Sequence, residues 1–448
     1  MLLVVIKIII SLFLAYLSGR CLLWCLSSKE KHKGVVIPLS IGFVIIVQIL
    51  FCLSLLKIRF DFVVLNSLLL IFIVLVTIFK KKTVRELLQF NIKYKLKRPR
   101  KLIYYILIFL ILFQIVFVIT ESTLRPVYAY DGLANWAWKV KVFSQDGSIQ
   151  LDTNEHYYLG QDHRNYPLFV PLLGTWMVFA SGSLIELLPM LSALFFVLIL
   201  GFLFSQLRKE ISLIKSLALT LVVASSPLLV YHSFNYYADL IFSFYILAAV
   251  VCFYRYLKER NVLFWQLGAL FAGVMTMVKN TGLFFSIIIW ILILLSLWLH
   301  KIKFNPKQII GVVMYLFLVL PWSIFKAVRG LGYSNSSEGS FLDFSNLHFD
   351  ALKYYSYHLF MFFDFLIWPV IFIGLIVLFI VFRIKKIRDV RLFPVVTTFL
   401  FIAAYIFIYI FTDAYNYLTD GTVDGRNLLA IWPLTVFVIG LILSNKKS

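Results

Sequence analysis

Charge is what this chain has least of. Asp, Glu, Lys and Arg together make up 14% of its 448 residues, where a soluble globular domain carries about 25%. Acidic charge is scarcer still, with 21 Asp and Glu against 42 Lys and Arg. A water-facing surface cannot be covered with so few charges, so a soluble fold is excluded. Cysteine is rare as well: the chain has four, and Cys21, Cys25, Cys52 and Cys252 all fall within apolar runs. Cys21 and Cys25 share a helical face, but two thiols make no metal site. These cysteines read as packing, which leaves neither a disulfide framework nor a zinc-thiolate centre. The first apolar segment has no basic run ahead of it and no small-residue cleavage motif, so it reads as a retained membrane helix. The excess of basic residues does not point to nucleic acid either. They sit in short runs between apolar segments, which is how topology is set in a membrane.

Hydrophobic residues, by contrast, fill 62% of the chain. Apolar runs of 18 or more residues recur along its length, each long enough to cross a bilayer as a helix. Backbone polar groups in lipid must pair within the segment, which makes those runs α-helical. A transmembrane barrel would alternate instead. The expected fold is therefore all-α and polytopic, with about 13 spans. The first four are expected at about 1–26, 35–56, 62–79 and 102–120. Five follow at about 187–207, 213–230, 239–257, 262–278 and 283–299, and four more at about 309–328, 356–382, 392–411 and 428–444.

Basic residues fix the orientation. The loops at 27–34, 80–101, 208–212, 258–261, 300–308 and 383–391 and the tail at 445–448 hold most of the Lys and Arg and few acids. Under the positive-inside rule they face the cytoplasm. The N-terminus then lies outside the cytoplasmic membrane and the C-terminus inside. Treating 168–183 as a further crossing would invert every later loop. That segment is expected to lie on or dip into the outer interface, and 131–145 likewise. On a helical wheel Leu133, Trp136, Val140 and Phe143 share one side, with Asp131, Asn135 and Trp138 opposite, the pattern of an amphipathic interfacial helix.

Chemistry-bearing residues gather on the outer face. The long polar loop at about 121–186 opens with Asp131 and carries Lys139, Lys141, His163, Arg164 and Tyr166. Asp239 starts one helix, Lys279 stands in the short Lys279-Asn280-Thr281-Gly282 link, and Arg426 stands at the mouth of the last span. Carboxylates at Asp131 and Asp239 suit a general base or a metal ion. Cations at Lys279 and Arg426 suit a phosphate carried by a lipid, Arg as a bidentate fork and Lys as a point charge. Lys279 stands out because the positive-inside rule disfavours lysine in so short an outer link.

Several segments, in order, resemble the GT-C superfamily of integral-membrane glycosyltransferases, in particular bacterial members related to protein O-mannosyltransferases and the lipid A aminoarabinose transferase. Tyr130-Asp131, followed by Trp136 and Lys139-Val140-Lys141, is similar to the superfamily's first outer loop. His163-Arg164-Asn165-Tyr166-Pro167-Leu168 with Pro171 resembles the stretch beyond that loop's acidic motif. Tyr237-Ala238-Asp239-Leu240 resembles the acidic position of the second outer loop. Val278-Lys279-Asn280-Thr281-Gly282 resembles the lysine-containing turn, and Arg426-Asn427-Leu428-Leu429 with Pro433 the arginine-bearing start of a late helix. The resemblance covers about residues 120–435.

The chain departs from the pattern in three ways. Three helices (1–79) precede the span leading into the motif loop, a single Asp131 stands where several members have an acidic pair, and no soluble outer domain follows. The organisation expected is an N-terminal extension with a basic cytoplasmic loop, 1–101, and a GT-C-like module, 102–448.

The resemblance implies an enzyme of the outer face of the plasma membrane that takes a sugar from a polyprenyl-phosphate donor. Its acceptor would be an envelope glycan, lipid or protein. Asp131 and Asp239 would be the catalytic pair, with Asp131 as general base of an inverting displacement. Lys279 and Arg426 would hold the donor phosphate, and Lys139, His163, Arg164 and Tyr166 would contact substrate. A divalent metal is left open, and no other cofactor is implied. Two further readings compete: an O-antigen polymerase or ligase acting on a diphosphate-linked oligosaccharide, and a lipid-linked-sugar flippase. A transporter would place ionisable groups near the bilayer midplane and show internal repeats. Here the polar groups crowd one boundary.

Overall fold

The computed structural model describes residues 2–27, 34–81, 102–161, 163–182, 185–332, 347–354, 389–412, 414–419 and 424–444. The expected span at 356–382 lies outside them, as do the basic runs at 82–101 and 445–448. Helices dominate the described residues, and ten are long and apolar enough to cross a membrane. The protein is a multi-pass membrane protein.

The first helices are α1 (Leu2–Leu26), α2 (Val36–Leu55), α3 (Phe62–Phe79) and α4 (Leu102–Leu124). A π-helical turn at Gly132–Ala137 leads into α5 (Trp138–Asp146), followed by α6 (Phe169–Ala180) and α7 (Pro189–Glu210). Next come α8 (Leu213–Ala224), α9 (Pro227–Ser233), α10 (Ala238–Glu259), α11 (Val262–Val278), α12 (Thr281–Leu299) and α13 (Gln308–Val328). The chain closes with α14 (Leu392–Phe411), α15 (Tyr415–Thr419) and α16 (Asp424–Ile442). Local signals set several starts. The Asp61 carboxylate accepts from the Val64 amide to cap α3, and the Asn261 side chain accepts from Leu263 to cap α11. Pro189 and Pro227 open α7 and α9, where a missing N–H costs nothing.

At the centre stands α10, buried from Ala238 to Leu257. A helix apolar on every side belongs inside the protein, and this one is enclosed by α7, α11 and α16. On its far side α11 meets α12 and α13, while α1 and α2 pair and α2 packs on α6. Peripheral α4 turns Phe109, Leu112, Phe113 and Val116 outward, as a lipid-facing helix does.

Two expectations change here. The run at 213–230 is not one straight span: α8 and α9 meet at a 66° bend. The cause is Ser226, extended at ψ 117° because the following Pro227 disfavours a helical conformation before it. The segment expected at the outer interface, 168–183, carries α6 at 169–180, with Phe179 the only residue of that helix that is not buried. Neighbouring elements cover it, α5 and α2 foremost. The wheel drawn for 131–145 fails at its start: Leu133 is exposed and Asn135 is buried. The π turn is wider than an α turn by one residue per hydrogen-bonded loop, which rotates the leading residues relative to α5. Trp136 within the turn and Val140 and Phe143 beyond it are buried as expected.

Charged side chains collect at both ends of the bundle. At one end the Glu210 carboxylate accepts from Arg255 Nη1 at 2.7 Å and from Lys258 Nζ at 2.9 and 2.7 Å. At the other lie Asp131, Asp239, Lys279 and Arg426.

Candidate active site

Asp239 sits in the first turn of α10 and is fully buried. A carboxylate in that position must be paired, since its desolvation otherwise costs several kcal/mol. Two cations supply the pairing. The Lys279 ammonium donates to Oδ1 at 2.6 Å. The Arg426 guanidinium donates to Oδ2 through Nη2 at 2.9 Å and Nε at 3.2 Å. Arg426 also reaches the other way, its Nη1 donating to Asp131 Oδ2. One guanidinium thus bridges the two carboxylates, and Lys279 completes a chain from Asp131 through Arg426 and Asp239.

Each member is held by its element. Lys279 lies extended between α11 and α12, at φ −141° and ψ 150°. Gly282, just inside α12, lets that helix return closely on α11, because a Cβ there would sit 1.9 Å from the Met275 carbonyl oxygen. Arg426 leads α16, where the Asn427 amide donates to Tyr409 of α14. Its guanidinium carbon lies 4.9 Å from the Tyr237 ring centroid, a cation–π contact. Burial pushes the Tyr237 phenol well above its ordinary value, with Tyr231 acting in the same direction and Arg426 against it.

The residues expected to contact substrate fall into a neighbouring loop. Lys139 is fully buried, and its ammonium donates to the His163 carbonyl at 2.8 Å. Gly160, at φ +82°, passes so close that a Cβ would lie 2.6 Å from Lys139 Cγ. Lys139 therefore packs between α5 and this loop. Tyr166 packs edge-on to Trp136 at 5.4 Å and to the His163 ring at 5.7 Å. Arg164 is exposed, its guanidinium 5.5 Å from the Tyr158 ring centroid and its Nε donating to Gln161 at 2.8 Å. The loop joins the charged chain at Asn165, whose carbonyl accepts from Asn280 Nδ2 at 3.2 Å.

Sequence reasoning passed over three residues. His232 is buried with its Nδ1 3.9 Å from Asp239 Oδ2. Tyr237 entered only as a motif neighbour of Asp239. Lys326, buried near the end of α13, donates to the Asn165 carbonyl at 3.0 Å and to Asn280 Oδ1 at 3.1 Å. The signal that marked Lys279, a lysine at the helix end opposite the basic loops, was present for Lys326 too. For a metal, Arg426 already occupies the place between the carboxylates. Among the described residues, no group of three or more His, Cys, Asp or Glu gathers to bind one.

The arrangement is that of a polytopic helical membrane protein with two carboxylates and two cations paired at one end of its helices. A crystal structure of ArnT from Cupriavidus metallidurans bound to undecaprenyl phosphate shares this fold. It matches at a TM-score of 0.55 and 14% identity over 77% of this chain. The chain spans 61% of that protein's length. No protein-family model and no curated protein sequence matches the chain.

Proposed function

We propose that the protein is a GT-C glycosyltransferase that moves a sugar from a polyprenyl-phosphate donor to an acceptor at the outer face of the cytoplasmic membrane. The observation that carries this reading is the bridge of Arg426 between Asp131 and Asp239, with Lys279 on the second carboxylate. Undecaprenyl phosphate bound to the ArnT fold supports a lipid phosphate as the anionic ligand. The crowding of basic loops at the other end of the spans supports the outer placement.

In this reading the donor phosphate draws Arg426 and Lys279 towards itself as it binds. Arg426 then loosens its hold on Asp131, which is only partly buried at 27% exposure. The freed carboxylate takes the proton of the acceptor hydroxyl. The hydroxyl oxygen attacks the anomeric carbon, and the bond from that carbon to the phosphate oxygen breaks with its electron pair going to the phosphate. The products are the glycosylated acceptor, inverted at the anomeric centre, and polyprenyl phosphate held by the two cations. Asp239, buried between them, keeps both in place, and no step needs a metal. Because Asp131 is tied to Arg426 in the free protein, the base is released only when a lipid phosphate is bound.

The test is transfer from a radiolabelled polyprenyl-phosphate sugar by the purified protein in lipid nanodiscs. Asp131→Asn should keep donor binding and lose turnover by about 100-fold or more, the scale of general-base catalysis. Lys279→Ala should weaken donor binding. Full turnover by Asp131→Asn would remove the base assignment. Turnover with only diphosphate-linked donors would favour a polymerase or ligase, and lipid movement across vesicles without cleavage a flippase.

A further inference from the structure

We propose that Lys326 is a positioning residue that locks the Lys279-Asn280 turn to the long loop at Asn165. Its consequence for the donor phosphate rests on the reading of Lys279 given above. Lys326 is 1% exposed, and an ammonium at that depth is costly unless its donors are matched. They are matched by two neutral acceptors on two different segments, the Asn165 carbonyl at 3.0 Å and the Asn280 side-chain oxygen at 3.1 Å. The Asn280 amide nitrogen turns to the same Asn165 carbonyl at 3.2 Å. Three segments that are far apart in the chain thus share one knot: the end of α13, the α11–α12 turn and the loop ahead of α6.

What the knot fixes is the residue next to it. Asn280 follows Lys279 directly, and Lys279 Nζ is 2.6 Å from Asp239. The turn has no slack on its other side, where Gly282 already lies against the Met275 carbonyl. Holding Asn280 therefore sets the height at which Lys279 leaves the bundle. Lys326 is bonded to the turn that carries Lys279, so loosening it moves the cation that the reading above gives to the donor phosphate.

The experiment compares wild type, Lys326→Met, Lys326→Arg and Asn280→Ala in nanodiscs, with two readouts. The first is amide hydrogen exchange at residues 163–166 and 279–283, with the middle of α10 as the internal reference. Lys326→Met should speed exchange in both segments by about tenfold, the weight of a charge-assisted hydrogen bond, and leave α10 unchanged. Lys326→Arg should restore most of the protection. Unchanged exchange in both segments, or equal loosening of α10, overturns the proposal. If Lys326→Met does not fold, Asn280→Ala reads the same lock from the other side. Faster exchange at 163–166 upholds the lock and unchanged exchange overturns it.

The second readout is binding of undecaprenyl phosphate alone, expected to weaken about tenfold in Lys326→Met. Faster exchange with unchanged lipid affinity upholds the lock and removes Lys279 from the phosphate site. The two ideas therefore fail separately.

Discussion

Replacing Asp239 with asparagine should cost the fold more than replacing either of its partners, because the substitution strands Lys279 and leaves Arg426 only its contact with Asp131. The carboxylate is fully buried and lies 2.6 Å from Lys279 Nζ and 2.9 Å from Arg426 Nη2. At an effective dielectric of about 20 a contact of that length is worth about 6 kcal/mol of Coulomb energy before desolvation. Desolvation takes back several kcal/mol per ion, so the net value of the cluster is far smaller than the sum of its contacts. Removing the shared partner is different, since Lys279 loses its carboxylate and Arg426 loses one of its two. Asp239→Asn should therefore destabilise by about 3–5 kcal/mol. Lys279→Met leaves Asp239 its two Arg426 contacts and should cost about 2 kcal/mol. In the double variant the stranded ammonium is gone, so its cost should fall short of the sum by about 1–3 kcal/mol. The assay is reversible unfolding of the purified protein in mixed micelles of rising denaturing-detergent content. Additivity within about 0.5 kcal/mol would refute the coupled cluster.

Other outcomes follow from close contacts and from the opposite end. Gly282→Ala would set a Cβ 1.9 Å from the Met275 carbonyl oxygen. It should destabilise by about 1–3 kcal/mol and weaken polyprenyl-phosphate binding, both measurable on one preparation. Gly160→Ala combines a φ of +82° with a clash against Lys139. Limited proteolysis of the 150–166 loop should report its loosening, while the unfolding free energy falls by about 1–3 kcal/mol. Glu210→Gln, in a carboxylate 2% exposed between Arg255 and Lys258, should cost about 3–5 kcal/mol. It should leave the KM for donor unchanged, because it lies at the far end of the spans.

Much of the site was legible in the sequence because its residues break a pattern. In a chain that is 62% hydrophobic, Asp239, Lys279 and Arg426 interrupt apolar runs at helix ends, and Asp131 opens the long polar loop. Each stands out without any knowledge of the fold. Lys326 breaks the pattern in the same way, three residues before Arg329 at the end of α13. His232 gave no signal, since a histidine beside aromatic residues in a short loop is commonplace. Lys139, expected to contact substrate, is fully buried and donates to the His163 carbonyl, a placement that its position in the sequence does not reveal.

By itself the sequence determined which segments are helices, and roughly where each ends. In lipid a backbone can satisfy its polar groups only within the segment, so a long apolar run admits one local structure whatever its neighbours. Neighbours are another matter. Apolar faces all resemble one another, and only the packed tertiary structure decided that α10 is enclosed, that α6 is covered by protein and that α8 and α9 bend apart. It alone carried Arg426 across 187 positions to Asp239 and across 295 to Asp131. Those pairings arise where helix ends meet, and no local rule of period or propensity encodes which ends those are.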